Sequence, residues 1–308
     1  MTIRVPSQYP TIQAGVNAAN PGDVVLVEKG TYTETVDVSK SSIRIIAEKK
    51  HDVILQAVNR GQNPFTLNNV TNVEIYGFVI QNSLRGVFVY RGGYHRIIGN
   101  IMQNSGEGIL TEDSTGNFIY QNTIRNNDSV GVLLGWNIGS TNNSVVDNTI
   151  NNNGFHGIEI WSPVNANNSV IDNKLFRNSG DGVKVKGLNT LVYGNEAKGN
   201  SQSGVNFEIG DYAAAADNEI EKNTGSNLLI SSHHAIIIDN DVEDNGTGIE
   251  INGNYNIVQE NDVEENTDDG IEVDGSKNTV AGNDLEDNTP QSIDNNGTDN
   301  NIINNDID

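Results

Sequence analysis

Four nearly identical units lie between Asn218 and Asn288, and they constrain the fold more than anything else in the chain. They read Asn218-Glu-Ile-Glu-Lys-Asn, Asn240-Asp-Val-Glu-Asp-Asn, Asn261-Asp-Val-Glu-Glu-Asn and Asn283-Asp-Leu-Glu-Asp-Asn, at spacings of 22, 21 and 22 residues. Between them recurs a second signature, Gly-Ile-Glu-Ile at 248–251 and Gly-Ile-Glu-Val at 270–273. A fixed period near 22 residues is the mark of a solenoid, in which each repeat buries its apolar face only by stacking on its neighbours.

The period extends backwards. The leading Asn recurs at Asn100, Asn122, Asn148, Asn173, Asn195, Asn218, Asn240, Asn261, Asn283 and Asn305, with Gly77 in its place one turn earlier. Five residues on, a second column runs from Asn82 and Ser105 through Asn127, Asn153 and Asn178 to Asn288. Asn tolerates left-handed backbone and bonds to nearby main chain, and amides stacked at one corner can bond to those above and below. Between corners, Ile and Val alternate with polar residues, the period of a strand with one face inward. With 33 Ile against 13 Leu and no Leu-x-x-Leu-x-Leu run, strands on every side are favoured over the strand-plus-helix of a leucine-rich repeat. The expected fold is all-β: a single-stranded parallel β-helix of about 22 residues per coil and ten to eleven coils. It forms one domain over 1–308, with cap and first coils at 1–56, regular coils at 57–216 and acidic coils at 217–308.

At the N-terminus Ile12, Val16 and Ala19 fall at i, i+4 and i+7 before Asn20-Pro-Gly, which predicts a short capping helix with a hard stop. Strand-like runs follow at 24–27, 36–38, 43–46 and 53–55. The net charge of −23 is uneven: residues 217–308 hold 23 of the 41 acidic side chains and only Lys222 and Lys277 of the bases. Such a surface repels phosphate backbones, so no nucleic-acid partner is expected. No run approaches membrane-spanning length, and no signal peptide opens the sequence. There is no cysteine, hence no disulfide or thiolate metal site. No cofactor is expected; calcium on the acid rows is the one metal considered. The last coil stops within a repeat, which raises the expectation of a homo-oligomer or end-to-end assembly covering that edge.

The Asn-x-Ile-x-x-x-Asn and Gly-Ile-x-Ile signatures resemble the right-handed parallel β-helix repeat of the pectin-lyase-like superfamily. The opening Tyr9-Pro-Thr-Ile-Gln-Ala-Gly-Val-Asn-Ala-Ala-Asn-Pro-Gly-Asp-Val-Val-Leu-Val and Gly30-Thr-Tyr resemble its cap and first coil. The resemblance covers nearly the whole chain and implies the fold. Activity is left open, because that superfamily contains lyases, hydrolases, esterases, epimerases, phage tailspikes and non-catalytic surface proteins. Its polygalacturonase motifs appear only in fragments, as in Asn178-Ser-Gly-Asp181-Gly182, and Asp-Gly before a strand is also ordinary turn chemistry.

Period 2 gives the outward residues of each strand after its Gly. One column is Phe88, Leu110, Leu133, Glu159, Lys184, Asn206, Leu229, Glu250 and Glu272; the next includes Tyr90, Glu112, Trp161, Lys186 and Glu208. Aromatic rings beside carboxylates suit sugars. The two longest strand-to-corner stretches, 17 residues from Gly131 to Asn148 and 16 from Gly157 to Asn173, flank Glu159 and Trp161, and solenoid insertions cluster on the working face. The expected substrate-binding residues are Phe88, Tyr90, Glu112, Trp161 and Lys186. The expected catalytic ones are Glu159, Lys184, Glu208 and His156, as carboxylates, cations and base for glycoside hydrolysis, lysis or uronate epimerisation. His233 and His234 read as turn residues. The function expected is polysaccharide binding or processing, with a non-catalytic structural or surface-layer protein as the alternative. An extracellular, cell-surface or spore-surface location is favoured.

Overall fold

The computed structural model describes residues 1–308 and is an all-β parallel solenoid with one short helix. It packs as two compact units, Met1–Gly154 and Phe155–Asp308. Within each, three parallel sheets gain one strand per turn. In the second unit the first sheet holds Ser169–Ile171 and Leu191–Tyr193, the second Lys174–Phe176 and Glu196–Lys198, and the third Ile158–Ile160 and Val183–Val185, each repeating with every turn. The first sheet has seven strands in each unit, so the chain winds about 14 turns, more than the ten to eleven counted from Asn columns. The early turns escape that count because Gly30, Val53 and Phe78 hold the place taken by Asn100 and its successors.

Strand burial alternates as period 2 requires: the central residue of Ile249–Ile251, Glu250, faces away from the core while both isoleucines are fully buried. The core is narrow and aliphatic, and stacking gives it continuity. Ile75 pairs with Ile97 and Ile97 with Ile119, all three fully buried. Helix Ile12–Ala18 lies where the cap was expected. The Thr11 side chain accepts from Ala14 N–H, and the Glu34 carboxylate accepts from the N–H groups of Ile12 and Gln13 at 3.0 Å each, satisfying orphan donors of the first turn. Ile12, Val16 and Ala19 are all buried, and a Cβ at Gly15 would stand 2.9 Å from Val5 Cγ2, so the helix lies flush on the first strands.

The corners are Asn ladders. Asn240 donates to Asn261 Oδ1 from its backbone N–H at 3.0 Å and from Nδ2 at 2.8 Å; Asn261 does the same to Asn283 at 3.1 and 2.9 Å. The first unit repeats this from Asn100 to Asn122 and from Asn122 to Asn148. Before each ladder Asn stands a residue with φ near +55°, such as Asp217, Asp239 and Glu260. That geometry corrects two alignments. Gly77 (φ +84°) occupies the left-handed position and Phe78 the ladder site, its N–H donating to Asn100 Oδ1. Asn82 (φ +56°) is likewise left-handed, and exposed, and Ser83 is the second-ladder member, with its hydroxyl 2.8 Å from that of Ser105. A third ladder, through Asn117 and Asn143 in the first unit and Asn256, Asn278 and Asn300 in the second, was not anticipated.

Candidate functional site

In the first unit, strand register places Phe88 beside Leu110 and Leu110 beside Leu133, and Tyr90 beside Glu112. This outward column is not an open surface. Leu110, Val130 and Leu133 are buried and form an apolar cluster of their own, with Phe88 packed against it. Asn137 donates to Glu112 Oε1 from its backbone N–H at 3.2 Å and from its side chain at 3.1 Å. The long Gly131–Asn148 stretch therefore folds back over the sheet, and Glu112 holds it there. Phe88 and Tyr90 remain partly accessible, stacked at 6.0 Å, with Arg85 over the Phe88 ring at 5.0 Å and Arg91 over Tyr90 at 4.9 Å.

In the second unit the expected residues do come together. Glu159 pairs in register with Lys184, and Lys184 with Asn206. Lys186 Nζ lies 3.7 Å from Glu159 Oε1 and 3.9 Å from Glu208 Oε2, and 4.2 Å from the centre of the Trp161 ring. Lys184 Nζ lies 2.6 Å from Glu208 Oε2. Sharing Lys186 brings the two carboxylates closer than the roughly 10 Å of two strand steps.

Glu159 was read as outward and open. It is outward but only 1% exposed, and its Oε1 accepts no hydrogen bond. Burial raises its carboxyl to about 7 although Lys186 and Lys184 oppose the shift. A group that titrates there both takes and gives a proton near neutral pH. Glu208, by contrast, is 42% exposed, an open carboxylate at the rim.

His156 is also 1% exposed. Its Nδ1 accepts from the backbone N–H of Asp181 at 2.8 Å, which leaves Nε2 carrying the proton of a neutral ring. Burial, reinforced by Lys184 and Lys186, lowers it to about 3. His156 therefore fits better as a fixed donor than as a base. Asp181 was set aside as turn chemistry, yet it belongs to the cluster. Its Oδ1 accepts from Ser203 N–H at 2.9 Å, its Oδ2 accepts from Asn206 Nδ2 at 3.3 Å, and Lys184 Nζ is 4.0 Å away. His156, Asp181 and Ser203 thus step from turn to turn as a ladder of the residues preceding Gly157, Gly182 and Gly204. A Cβ at Gly182 would stand 2.6 Å from Gly204 O, which is why glycine follows at each step. Asn206 Oδ1, buried and without a hydrogen-bond donor, completes a floor with two unused acceptors. Asp-Gly at one repeat spacing from His-Gly was the signal available in the sequence.

His233 and His234 are turn residues, as read. His233 Nδ1 accepts from Asn254 N–H, and His234 (φ +59°) stacks between Tyr212 and Tyr255. On the second sheet of the same unit the acids stand in register: Glu219, Asp241, Asp262, Asp284 and Asp306 in one row, and Glu221, Glu243, Glu264 and Glu286 in the next. Ligand oxygens of Glu221, Glu243 and Asp244 come within 4.8 Å of one another, and Lys222 already pairs with Glu221 and Asp244.

Comparison with known proteins agrees with this architecture. The family model described as "Right handed beta helix region" matches residues 163–307. A relative, a "Cell surface glycoprotein" of Methanothermus fervidus, is 26% identical over 188 residues, 51% of this chain but only 32% of that protein's length. Among solved structures, the A-module of the mannuronan C-5 epimerase AlgE6 of Azotobacter vinelandii superposes with a TM-score of 0.77 at 15% identity, covering 95% of this chain and 94% of that one. The DFA-IIIase of Arthrobacter chlorophenolicus A6 superposes at 0.65 and 13% identity, covering 97% and 93%. At such identities the likeness is one of fold; the first of these neighbours is named for a polysaccharide, mannuronan. A second family model matches residues 16–202, more than half of the sequence, and the chain belongs to the family described as "Periplasmic copper-binding protein (NosD)".

Proposed function

We propose that this protein binds and processes an acidic polysaccharide on the third sheet of its second unit. Glu159 is the proton-transfer group, Lys184 and Lys186 hold the sugar carboxylate, Trp161 supplies a ring face, and Glu208 closes the rim. The observation that carries this reading is Glu159 itself: a buried carboxyl with an unused oxygen, raised to about 7 beside two lysines. A proton next to a carboxylate becomes removable when cations neutralise the charge that develops, and a base tuned near neutral pH takes it. Lyases and epimerases share that first step. The neighbours' names support a polysaccharide substrate, and the surface-glycoprotein relative and the periplasmic family name support a location outside the cytoplasm.

Copper, which the family name carries, does not fit the residues present. Cysteine is absent. His51 Nε2 contacts Gly99 O, while His95, His156 and His233 each use Nδ1 to accept a backbone N–H. The one group of three converging ligands is all carboxylate, a donor set for hard cations such as calcium.

The test is a panel of polyuronates, mannuronan and polygalacturonate included, followed by ultraviolet absorbance for unsaturated product and by NMR for epimerised residues. Glu159→Gln and Lys184→Ala should reduce turnover at least 100-fold with the thermal midpoint of Lys184→Ala unchanged. Wild-type turnover in both variants would refute the assignment. A wild type that turns over none of the panel favours the second reading, a non-catalytic structural or surface-layer protein whose acid rows keep it solvated, to which the surface-glycoprotein relative lends weight.

A further inference from the structure

The first unit carries a second candidate site, on its first sheet, with chemistry unlike the rest of this acidic chain. Two outward columns cross four adjacent strands. One runs Arg44, Glu74, Arg96 and Phe118, the other Ile46, Tyr76, Ile98 and Tyr120. Together they line a groove of about 340 Å³, within the range of roughly 300–1,000 Å³ typical of small-molecule sites. Four strands at about 4.8 Å spacing give it a length of roughly 14 Å.

Its walls are flat and apolar. Phe118 and Tyr120 stack at 5.1 Å, and Tyr76 neighbours Ile98 in register. Its charge is positive. Glu74 is the acid at its centre, and it is taken: Arg44 donates to Glu74 Oε1 from Nε at 3.1 Å and from a terminal nitrogen at 2.8 Å. Arg96 approaches Glu74 through Nε at 3.3 Å, and the two terminal nitrogens of its guanidinium make no hydrogen bond within the chain, which leaves them for a ligand. Lys50 stands at the edge, where a Cβ at Gly99 would lie 3.3 Å from Lys50 Nζ and 3.4 Å from the Tyr76 ring, and it makes no ion pair. The nearby acid Glu48 is engaged by Arg4 at 2.9 Å. Three cations thus face one neutralised acid, on a protein of net charge −23.

From this we propose that the groove is a binding site for an anionic polysaccharide, separate from the Glu159 cluster. A pyranose C–H face would lie on Tyr76 or Tyr120. A carboxylate or sulfate would take the free fork of Arg96, the planar donor pair that matches such groups, with Lys50 as a second cation. The site needs no turnover; it would hold a chain on the first unit, and it stands whether or not the Glu159 cluster is catalytic.

The experiment removes the other face first. In a Lys184→Ala/Lys186→Ala background, binding of oligogalacturonate, of heparin oligosaccharide and of neutral dextran is measured by calorimetry at low salt and at higher salt. The background variant should bind oligogalacturonate, more weakly as salt rises. Adding Arg96→Glu should weaken binding at least tenfold, and adding Tyr120→Ala several-fold. Heparin binding of equal strength would widen the ligand to sulfated chains; heparin failing to bind would restrict it to uronates. Both results keep the site. As a measurement that needs no groove variant, the methyl resonances of Ile46 and Ile98 should move when the wild type is titrated with oligogalacturonate. Still methyls, a background variant that binds nothing, unchanged binding with Arg96→Glu, or dextran bound as tightly as the uronate would each overturn the inference.

Discussion

Glu159 and His156 are buried ionisable groups that pull stability in opposite directions with pH. The folded carboxyl is raised from 4.5 to about 7, so the folded state holds its proton longer than the unfolded chain does. Stability is therefore lost as pH rises from the unfolded value through 7, by about 3 kcal/mol at the limit. His156 is lowered to about 3, so its contribution is present above pH 6.5 and is lost as pH falls towards 3. Thermal unfolding of Glu159→Gln should show a higher midpoint than wild type at pH 8 and little difference at pH 4.5. An equal shift at both values would mean that Glu159 is not carried at a raised value. The sequence showed that these residues share a face, because period 2 decides facing. It could not show that the face is covered, since coverage depends on where loops fold: Glu112, read as a ligand group, spends its carboxylate on Asn137.

Among the elements, the corners carry the register. In the first ladder Asn261 accepts two donors of the preceding turn at Oδ1, both from Asn240, and its Nδ2 donates to main-chain carbonyls, Ile237 O at 3.2 Å and Gln259 O at 3.1 Å. Removing the amide strands buried donors, each costing about 1–3 kcal/mol. Asn261→Ala should destabilise by about 2–4 kcal/mol in chemical denaturation. Asp239→Gly, at the left-handed position beside Asn240, should be nearly neutral because glycine adopts φ near +54° without strain. The ladders were legible from Asn spacing alone. Their exact offset was not at the early turns, where Phe78 and Ser83 replace Asn at the ladder sites and only the sign of φ marks Gly77 and Asn82 as the corner residues before them. The third ladder went unseen because Thr190, Ala213 and Ala235 break its run between Asn168 and Asn256.

At the scale of the whole molecule, the solenoid turns a sequence period into rows of like groups. Apolar rows make a core. Acid rows on the second sheet of the second unit crowd carboxyls together: Glu243 is raised to about 7 first by its hydrogen bond with Glu221, Glu264 to about 7 first by burial and then by Asp262, and Asp241 is raised by burial and then by Asp262. Carboxyls raised in this way favour the folded state less as pH climbs through 7. The second unit should therefore melt higher at pH 5.5 than at pH 8 in low salt, and added salt should narrow the gap by screening. A melting temperature independent of both would mean that the rows do not interact. The overall winding was evident from the repeats. Which rows form the candidate site was only half evident, since Asp181 joined the cluster through a turn that looked ordinary.

The proposed function turns on a carboxyl held ready for proton transfer among lysines on a proposed sugar-binding face. Carbon-13 NMR titration of the Glu159 side chain, with and without oligouronate, tests that directly. A midpoint near 7 that moves when the oligouronate is added is the predicted result. A midpoint in the ordinary carboxylate range, unmoved by the sugar, would contradict it.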